Sequence, residues 1–126
     1  MFYTVYLTIE TGIPRDHHAL FVETHEAGPQ TGHVYNVQGD IQNGMVYEAK
    51  TTEEPEKSPV LVEKKRIGTV SKDDYPRFIA VCQSIPVPKK QFEGARQLYP
   101  KEPLRQCQGW AKEAIHALVE QKVVLE

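Results

Sequence analysis

Apolar and polar residues alternate along much of the first half of the chain. From Tyr3 to Ile9 an apolar side chain stands at every second position, which is the period of a strand with one buried face. The Thr11-Gly12 pair and Pro14 then break this strand, and Asn43-Gly44 signals a tight turn further along the chain. The same reasoning predicts about five strands, which are Tyr3–Ile9, His17–Glu23, His33–Gln38, Met45–Lys50 and Val60–Arg66.

The second half of the chain contains two helical patterns. Ser71 can cap a helix that we predict over Asp73–Gln83, with aspartates in its first turn. A final helix is predicted to begin at Pro103, because proline suits the first helical position. Its apolar side chains repeat at intervals of three and four residues and form one buried stripe of Cys107, Trp110, Ala111, Ala114, Ile115, Leu118 and Val119.

The segments around these helices are less regular. Ile85–Pro88 is predicted to be an extended, buried connector, and Gln91–Tyr99 to be a loop or a short helical turn. Val123–Leu125 could add a short edge strand. The order of elements predicts one α+β domain over residues 1–126, in which an antiparallel sheet of about five strands packs against helices. Exposed strand edges at Met45–Lys50 or Val123–Leu125 leave a monomer and a homodimer both open.

Composition and charge argue against several classes of protein. With 40% hydrophobic and 25% charged residues, the chain has the composition of an ordinary globular domain. The net charge of -2 and the short basic cluster Lys64-Lys65-Arg66 argue against nucleic-acid binding. The N-terminus lacks the features of a signal peptide, and no apolar run approaches the roughly 20 residues that span a bilayer. We therefore expect a cytoplasmic protein without a transmembrane segment.

Cysteine and histidine usage predicts neither a metal nor a cofactor. The two cysteines, Cys82 and Cys107, lack the close spacing of a zinc-binding pair and should be free thiols in a reducing compartment. A metal site made of His17, His18 and His33 is disfavoured, since adjacent residues of a strand point to opposite faces.

One constellation of residues could carry thiol chemistry. Cys107 stands near the start of the predicted last helix, where the helix dipole lowers the pKa of a thiol. His17 opens the second strand, and Asn36 of the next strand can lie beside it. A nucleophilic cysteine needs an imidazole within reach and a third group that orients this imidazole. A cysteine on an apolar helix face is also an ordinary core residue, and Cys82 is a less favoured nucleophile near a helix C-terminus.

Three short blocks of sequence resemble those of a known family. HHALFV at residues 17–22 resembles an H-W-A-[LI]-Y-V strand, GHVYNV at residues 32–37 resembles G-x-[VI]-[VIY]-H-[LV], and QCQGW at residues 106–110 resembles N-C-x-[HW]-[FW]. These are blocks of the lecithin:retinol acyltransferase-like family, the circularly permuted branch of the NlpC-type, papain-like thiol hydrolases. In that family the histidine strand also precedes the cysteine helix. The chain is also similar to small uncharacterised fungal proteins with H-W-A-L-F, Y-H-V-x-G-D and C-x-x-W blocks.

The resemblance implies a permuted papain-like fold and a thiol mechanism. Cys107 would be the nucleophile and His17 its base, and Asn36 would take the place of the family's second histidine. His18 and Gln106 depart from the tryptophan and asparagine of the family. The implied activity is that of an acyl transferase or hydrolase acting on a small-molecule ester or amide, since the sequence lacks the hydrophobic anchor of the lipid acyltransferases. The alternative is a catalytically inactive papain-like binding module.

Overall fold

Alternation of apolar residues in the first half of the chain produces an antiparallel sheet. The computed structural model describes residues 1–12 and 16–126. Its elements are β1 (Phe2–Glu10), β2 (His17–Glu23), β3 (Gly32–Asp40), β4 (Gly44–Glu53), a 3₁₀ turn (Pro55–Lys57), β5 (Leu61–Ser71), α1 (Tyr75–Ser84), β6 (Phe92–Glu93), β7 (Arg96–Gln97) and α2 (Cys107–Glu120). Five strands form the main sheet in the order β4-β3-β2-β1-β5. The predicted α+β class, with a sheet of about five strands and two helices, is confirmed.

The first four strands follow one another in space as they do in sequence, and β5 returns to the far side of β1. Val5 lies opposite Val22, and Leu7 opposite Leu20, so the apolar sets of β1 and β2 share one face. β2 begins and ends at the predicted residues, whereas β3 and β4 are longer because they pair with each other almost from end to end. The strand break predicted at Pro14 lies outside the described residues.

Both helices cover the same face of the sheet. Leu20 and Val22 of β2 are buried there beside Trp110 and Ala114 of α2. Fully burying an aliphatic or aromatic side chain of this kind contributes about 1.5–3 kcal/mol to the free energy of folding, so this core is the main stabilising feature. It also contains side chains from the other long elements and from the C-terminus, among them Val5, Val37, Val70, Phe78, Leu118, Val123 and Val124.

The last helix begins later than predicted. α2 starts at Cys107 and not at Pro103, because the preceding residues are extended and Gln106 has φ −131° and ψ −166°. α1 also starts late, at Tyr75, and Ser71 supports the turn before it rather than the helix itself. Cys107 therefore occupies the first position of α2, where backbone N–H groups have no acceptor within the helix.

The segment between the helices also differs from the prediction. Gln91–Tyr99 contains the β6–β7 hairpin rather than a helical turn, and Gly94 adopts a φ of 58° in its tight turn. The Ile85–Pro88 connector is not buried as a whole, since Val87 is 37% exposed. This connector runs past the edge strand β4, where Met45 donates its backbone N–H to the carbonyl of Pro88 at 2.9 Å.

The C-terminal residues attach to β5. Leu125 and Thr69 exchange two backbone hydrogen bonds of 2.8 and 2.9 Å, so the predicted edge strand is reduced to a single bridge. Val123 and Val124 are buried beneath it. Within the part of the chain that the structure describes, neither helix is long and apolar enough to cross a membrane.

Candidate functional site

His17, Asn36 and Cys107 come from three different elements and meet at one end of the sheet. His17 is the first residue of β2, Asn36 lies within β3, and Cys107 opens α2. The Nε2 atom of His17 lies 3.2 Å from the Oδ1 atom of Asn36. The thiol of Cys107 lies close enough to the same imidazole for each group to shift the pKa of the other. The structure thus brings together the three residues that the sequence analysis selected.

His17 and Asn36 lie close together because alternate residues of a strand point to the same face of the sheet. β2 and β3 are antiparallel neighbours with Phe21 opposite Val34, and every second residue of each strand shares that face. His17 and Asn36 both belong to this set, and they line one pocket on the face that is turned away from the helices. Asn36 is 1% exposed, so its amide is confined to hydrogen bonds within the protein.

Cys107 reaches His17 around the end of β2, because α2 itself packs on the opposite face of the sheet. The sulfur of Cys107 lies 3.8 Å from the backbone carbonyl oxygen of Asp16, the residue before β2. The side-chain amide of Gln108 donates to the same oxygen at 2.6 Å. These contacts tie the start of α2 to the start of β2.

Burial opposes ionisation of the Cys107 thiol, but other contacts outweigh this penalty. Interaction with the His17 imidazole and with the backbone N–H groups of His18 and Gln108 favours the thiolate, so the pKa of Cys107 lies below its ordinary value. The first position of a helix adds the favourable field of the helix dipole. Because the residue is only 7% exposed, little water competes for these contacts.

The imidazole of His17 shifts in the complementary direction. Its interaction with the Cys107 thiol raises the pKa of His17 above the ordinary value, against the effect of partial burial. The hydrogen bond with Asn36 and the negative charge of Glu10, which lies opposite His17 in β1, act in the same direction. A lowered thiol pKa and a raised imidazole pKa together favour a thiolate–imidazolium pair, the form in which a cysteine is nucleophilic.

A buried glutamine determines where α2 begins. Gln91 is 5% exposed, and its Nε2 atom donates to the carbonyl oxygens of Arg105 at 2.8 Å and Lys89 at 3.1 Å. Its Oε1 atom accepts the backbone N–H of Arg105 at 2.9 Å. Both backbone groups of Arg105 are therefore bound outside the helix, so the helix starts after this residue. The sequence analysis missed Gln91, because a glutamine in a loop is usually exposed.

Cys82 has the opposite environment. It is fully buried in α1, and burial raises the pKa of its thiol to about 12. Among the described residues no group of three or more ligating side chains could hold a metal ion. Three further histidines pair with carboxylates of their own, in the pairs His25–Glu23, His33–Glu26 and His116–Glu120.

Two clefts lie near the three residues. The smaller, of about 260 Å³, includes His17 and Asn36 in its wall. The larger, of about 800 Å³, runs along the N-terminal turn of α2 and the β6–β7 hairpin, and its volume is typical of small-molecule sites. Exposed apolar side chains in its wall are Val87, Tyr99 and Leu104.

Comparison with known proteins identifies a family. No curated protein and no solved structure matches the chain. The model of a family of unknown function, DUF6540, matches residues 5–125, a range that contains His17, Asn36 and Cys107. The chain therefore belongs to the family of unknown function DUF6540.

Proposed function

We propose that this protein is a thiol-dependent acyl transferase or hydrolase that acts on a small-molecule ester or amide through Cys107, His17 and Asn36. The observation that carries this proposal is the convergence of three side chains: the His17 imidazole lies 3.2 Å from the Asn36 amide and interacts with the Cys107 thiol, whose pKa it lowers. A base in contact with the nucleophile, itself oriented by a third group, is the arrangement on which cysteine acyl transfer depends.

The proposed reaction begins with proton transfer from Cys107 to His17. The thiolate attacks the acyl carbonyl carbon, and the carbonyl electron pair moves onto oxygen, where the backbone N–H of Cys107 at the helix start can stabilise it. Collapse of this adduct expels the alcohol or amine, which takes the proton from His17, and leaves a thioester on Cys107. Water, or a second alcohol or amine, then attacks the thioester while His17 accepts its proton, and the free thiol is restored.

We also propose that the chain descends from the permuted papain-like thiol enzymes. Two features support this: the histidine strand precedes the cysteine helix in sequence, and the cysteine occupies the first position of that helix. Asn36 is the main departure from the resembling blocks. An asparagine can orient an imidazole through its carbonyl oxygen, as in papain-like Cys-His-Asn sites, although it supplies no charge.

Alkylation by iodoacetamide at pH 6 tests the activated thiol. Cys107 is expected to react at least about 100-fold faster than Cys82, because the thiolate is the reactive form and a thiol with a pKa of about 12 is almost entirely protonated at this pH. Peptide mapping by mass spectrometry assigns the label to each cysteine. Single Cys107→Ser and Cys82→Ser variants serve as matched controls. Equally slow labelling of both thiols would contradict the proposal and favour a binding module.

Acyl transfer is tested with p-nitrophenyl acetate. We expect rapid release of nitrophenolate and one acetyl group on Cys107, because this ester needs no specific pocket and its leaving group requires no protonation. Cys107→Ser should abolish the modification, and Cys82→Ser should leave it unchanged. Rapid alkylation of Cys107 without acetylation by the ester would restrict the proposal to an activated thiol without acyl transfer.

A further inference from the structure

The amide of Asn36 has two chemically different ends, and only one of them supports a base at His17. If Oδ1 faces the imidazole, it accepts the proton on Nε2 and leaves Nδ1 of a neutral ring free to accept a proton from Cys107. If Nδ2 faces the ring, Nε2 must be the acceptor, and the proton on Nδ1 blocks proton transfer from sulfur. The orientation of this amide therefore selects the tautomer of His17.

Two neighbours in the structure determine that orientation. The backbone carbonyl of Glu48 in β4 lies 3.4 Å from Nδ2 of Asn36, and a carbonyl can only accept a hydrogen bond. This contact favours the orientation in which Nδ2 points towards β4 and Oδ1 away from it. On the other side Gln38 donates from its Nε2 atom to Oδ1 of Asn36 at 2.6 Å, the shortest hydrogen bond that Asn36 makes.

The alternation of side chains along β3 places Gln38 within reach of Asn36. Gln38 lies two residues beyond Asn36 in β3, so both side chains stand on the same face, and both line the small cleft with His17. We infer that Gln38 is a positioning residue: its amide holds Oδ1 of Asn36 towards Nε2 of His17 and thereby keeps Nδ1 of His17 available to Cys107. This inference rests on the proposed function.

The variant Gln38→Met removes the donor and keeps the length of the side chain. Without that donor the Asn36 amide keeps only the longer 3.4 Å contact between Nδ2 and the Glu48 carbonyl, so it should populate the flipped orientation more often. We therefore expect alkylation of Cys107 at pH 6 to slow by about three- to tenfold, the range that corresponds to one hydrogen bond. The pH profile of alkylation should shift towards higher pH. Gln83→Met, which places the same side chain on the exposed surface of α1, is the matched control and should react like the parent chain.

A double-mutant cycle distinguishes positioning from a general structural effect. If Gln38 acts through Asn36, adding Gln38→Met to Asn36→Ala should cause no further loss. A further loss of the full three- to tenfold in this background would overturn the inference, as would an unchanged pH profile of Gln38→Met alone. Circular dichroism and thermal unfolding check that each variant is folded.

The tautomer of His17 gives a readout that does not depend on thiol reactivity. In a Cys107→Ser background, where no thiolate–imidazolium pair can form, the imidazole ¹⁵N shifts at pH 8 should show His17 protonated on Nε2. Adding Gln38→Met should increase the Nδ1-protonated form, and an unchanged tautomer would overturn the inference. If the parent Cys107 reacts no faster than Cys82, the proposed function fails, while the tautomer measurement still decides the role of Gln38.

Discussion

Replacement of His17 by alanine is expected to slow alkylation of Cys107 at pH 6 by roughly tenfold to 100-fold, the range that corresponds to one hydrogen bond to a charged group, because the thiolate is the reactive form and loses its imidazole partner. In the variant, the burial of Cys107 is opposed only by backbone N–H groups, which moves its pKa upwards. The second-order rate constant with iodoacetamide, measured by mass spectrometry for each cysteine, checks this prediction.

The dependence of the alkylation rate on pH shows in which direction His17 shifts the pKa of Cys107. In the parent chain the rate should rise as the pH passes the lowered pKa of Cys107, and it should level off at a lower pH than for an ordinary thiol, because the thiolate is the reactive form. In His17→Ala the rise should move to alkaline pH. His33→Ala is the matched control, because His33 pairs with Glu26 and contacts Tyr75, away from Cys107. Coincident profiles of the parent chain and His17→Ala would contradict activation by the imidazole.

Local periodicity predicted the elements whose burial is one-sided. β1 has its apolar face against the helices, so the two-residue alternation appears directly in the sequence. β2 is buried on both faces from Ala19 to Val22, and its short apolar run predicted its ends correctly. The stripe of Cys107, Trp110, Ala111 and Ala114 similarly predicted the buried face of α2. In β1 and α2 a single set of neighbours determines which residues are apolar.

The first residue of α2 depends on long-range hydrogen bonds, which the local pattern of apolar residues does not reveal. Pro103 is a good first residue for a helix, yet α2 begins at Cys107, because Gln91 binds both backbone groups of Arg105 from fourteen residues away. The β6–β7 hairpin was missed for a related reason. Its strands are two residues long, which is too short for an alternation to be visible.

The candidate site was predictable in its members but not in its orientation. Parity placed His17 and Asn36 on one face, and the start of α2 placed Cys107 at their end of the sheet. The alternation of side chains along a strand does not determine which end of the Asn36 amide faces the His17 imidazole. That property depends on the backbone carbonyl of Glu48 and on Gln38, and both become visible only when the strand register is known.

Gly32→Ala is expected to lower the free energy of unfolding by about 3 kcal/mol or more, because a core position that cannot accommodate added volume forces the backbone to move. A Cβ atom at Gly32 would lie 1.9 Å from the carbonyl oxygen of Val22, and neither atom belongs to a side chain that could rotate away. For a chain of this length we expect a decrease in the thermal midpoint of about 10 °C or more. Calorimetry or circular dichroism measures it.

Gly109→Ala is the matched control for this prediction. The nearest atom to its added Cβ is Cγ of Arg105 at 3.3 Å, the middle of a flexible side chain, and alanine favours a helix over glycine by up to about 1 kcal/mol. Gly109→Ala should therefore be as stable as the parent chain or slightly more stable. A thermal midpoint of Gly32→Ala within two or three degrees of the parent chain would correspond to a change on the order of 1 kcal/mol or less in the free energy of unfolding. It would show that β2 and β3 can move apart at this position at little cost.

The position of Gly32 separates the requirements of the fold from those of the site. Gly32 pairs with Glu23, at the end of β2 opposite to His17, so the strain from an added Cβ arises far from the contact between His17 and Asn36. Below its unfolding temperature, Gly32→Ala should therefore keep the pH profile of Cys107 alkylation, whereas His17→Ala should lose that profile while remaining folded. A change of profile in Gly32→Ala would mean that the register of the whole β2–β3 pair, and not its His17 end alone, sets the reactivity of the thiol.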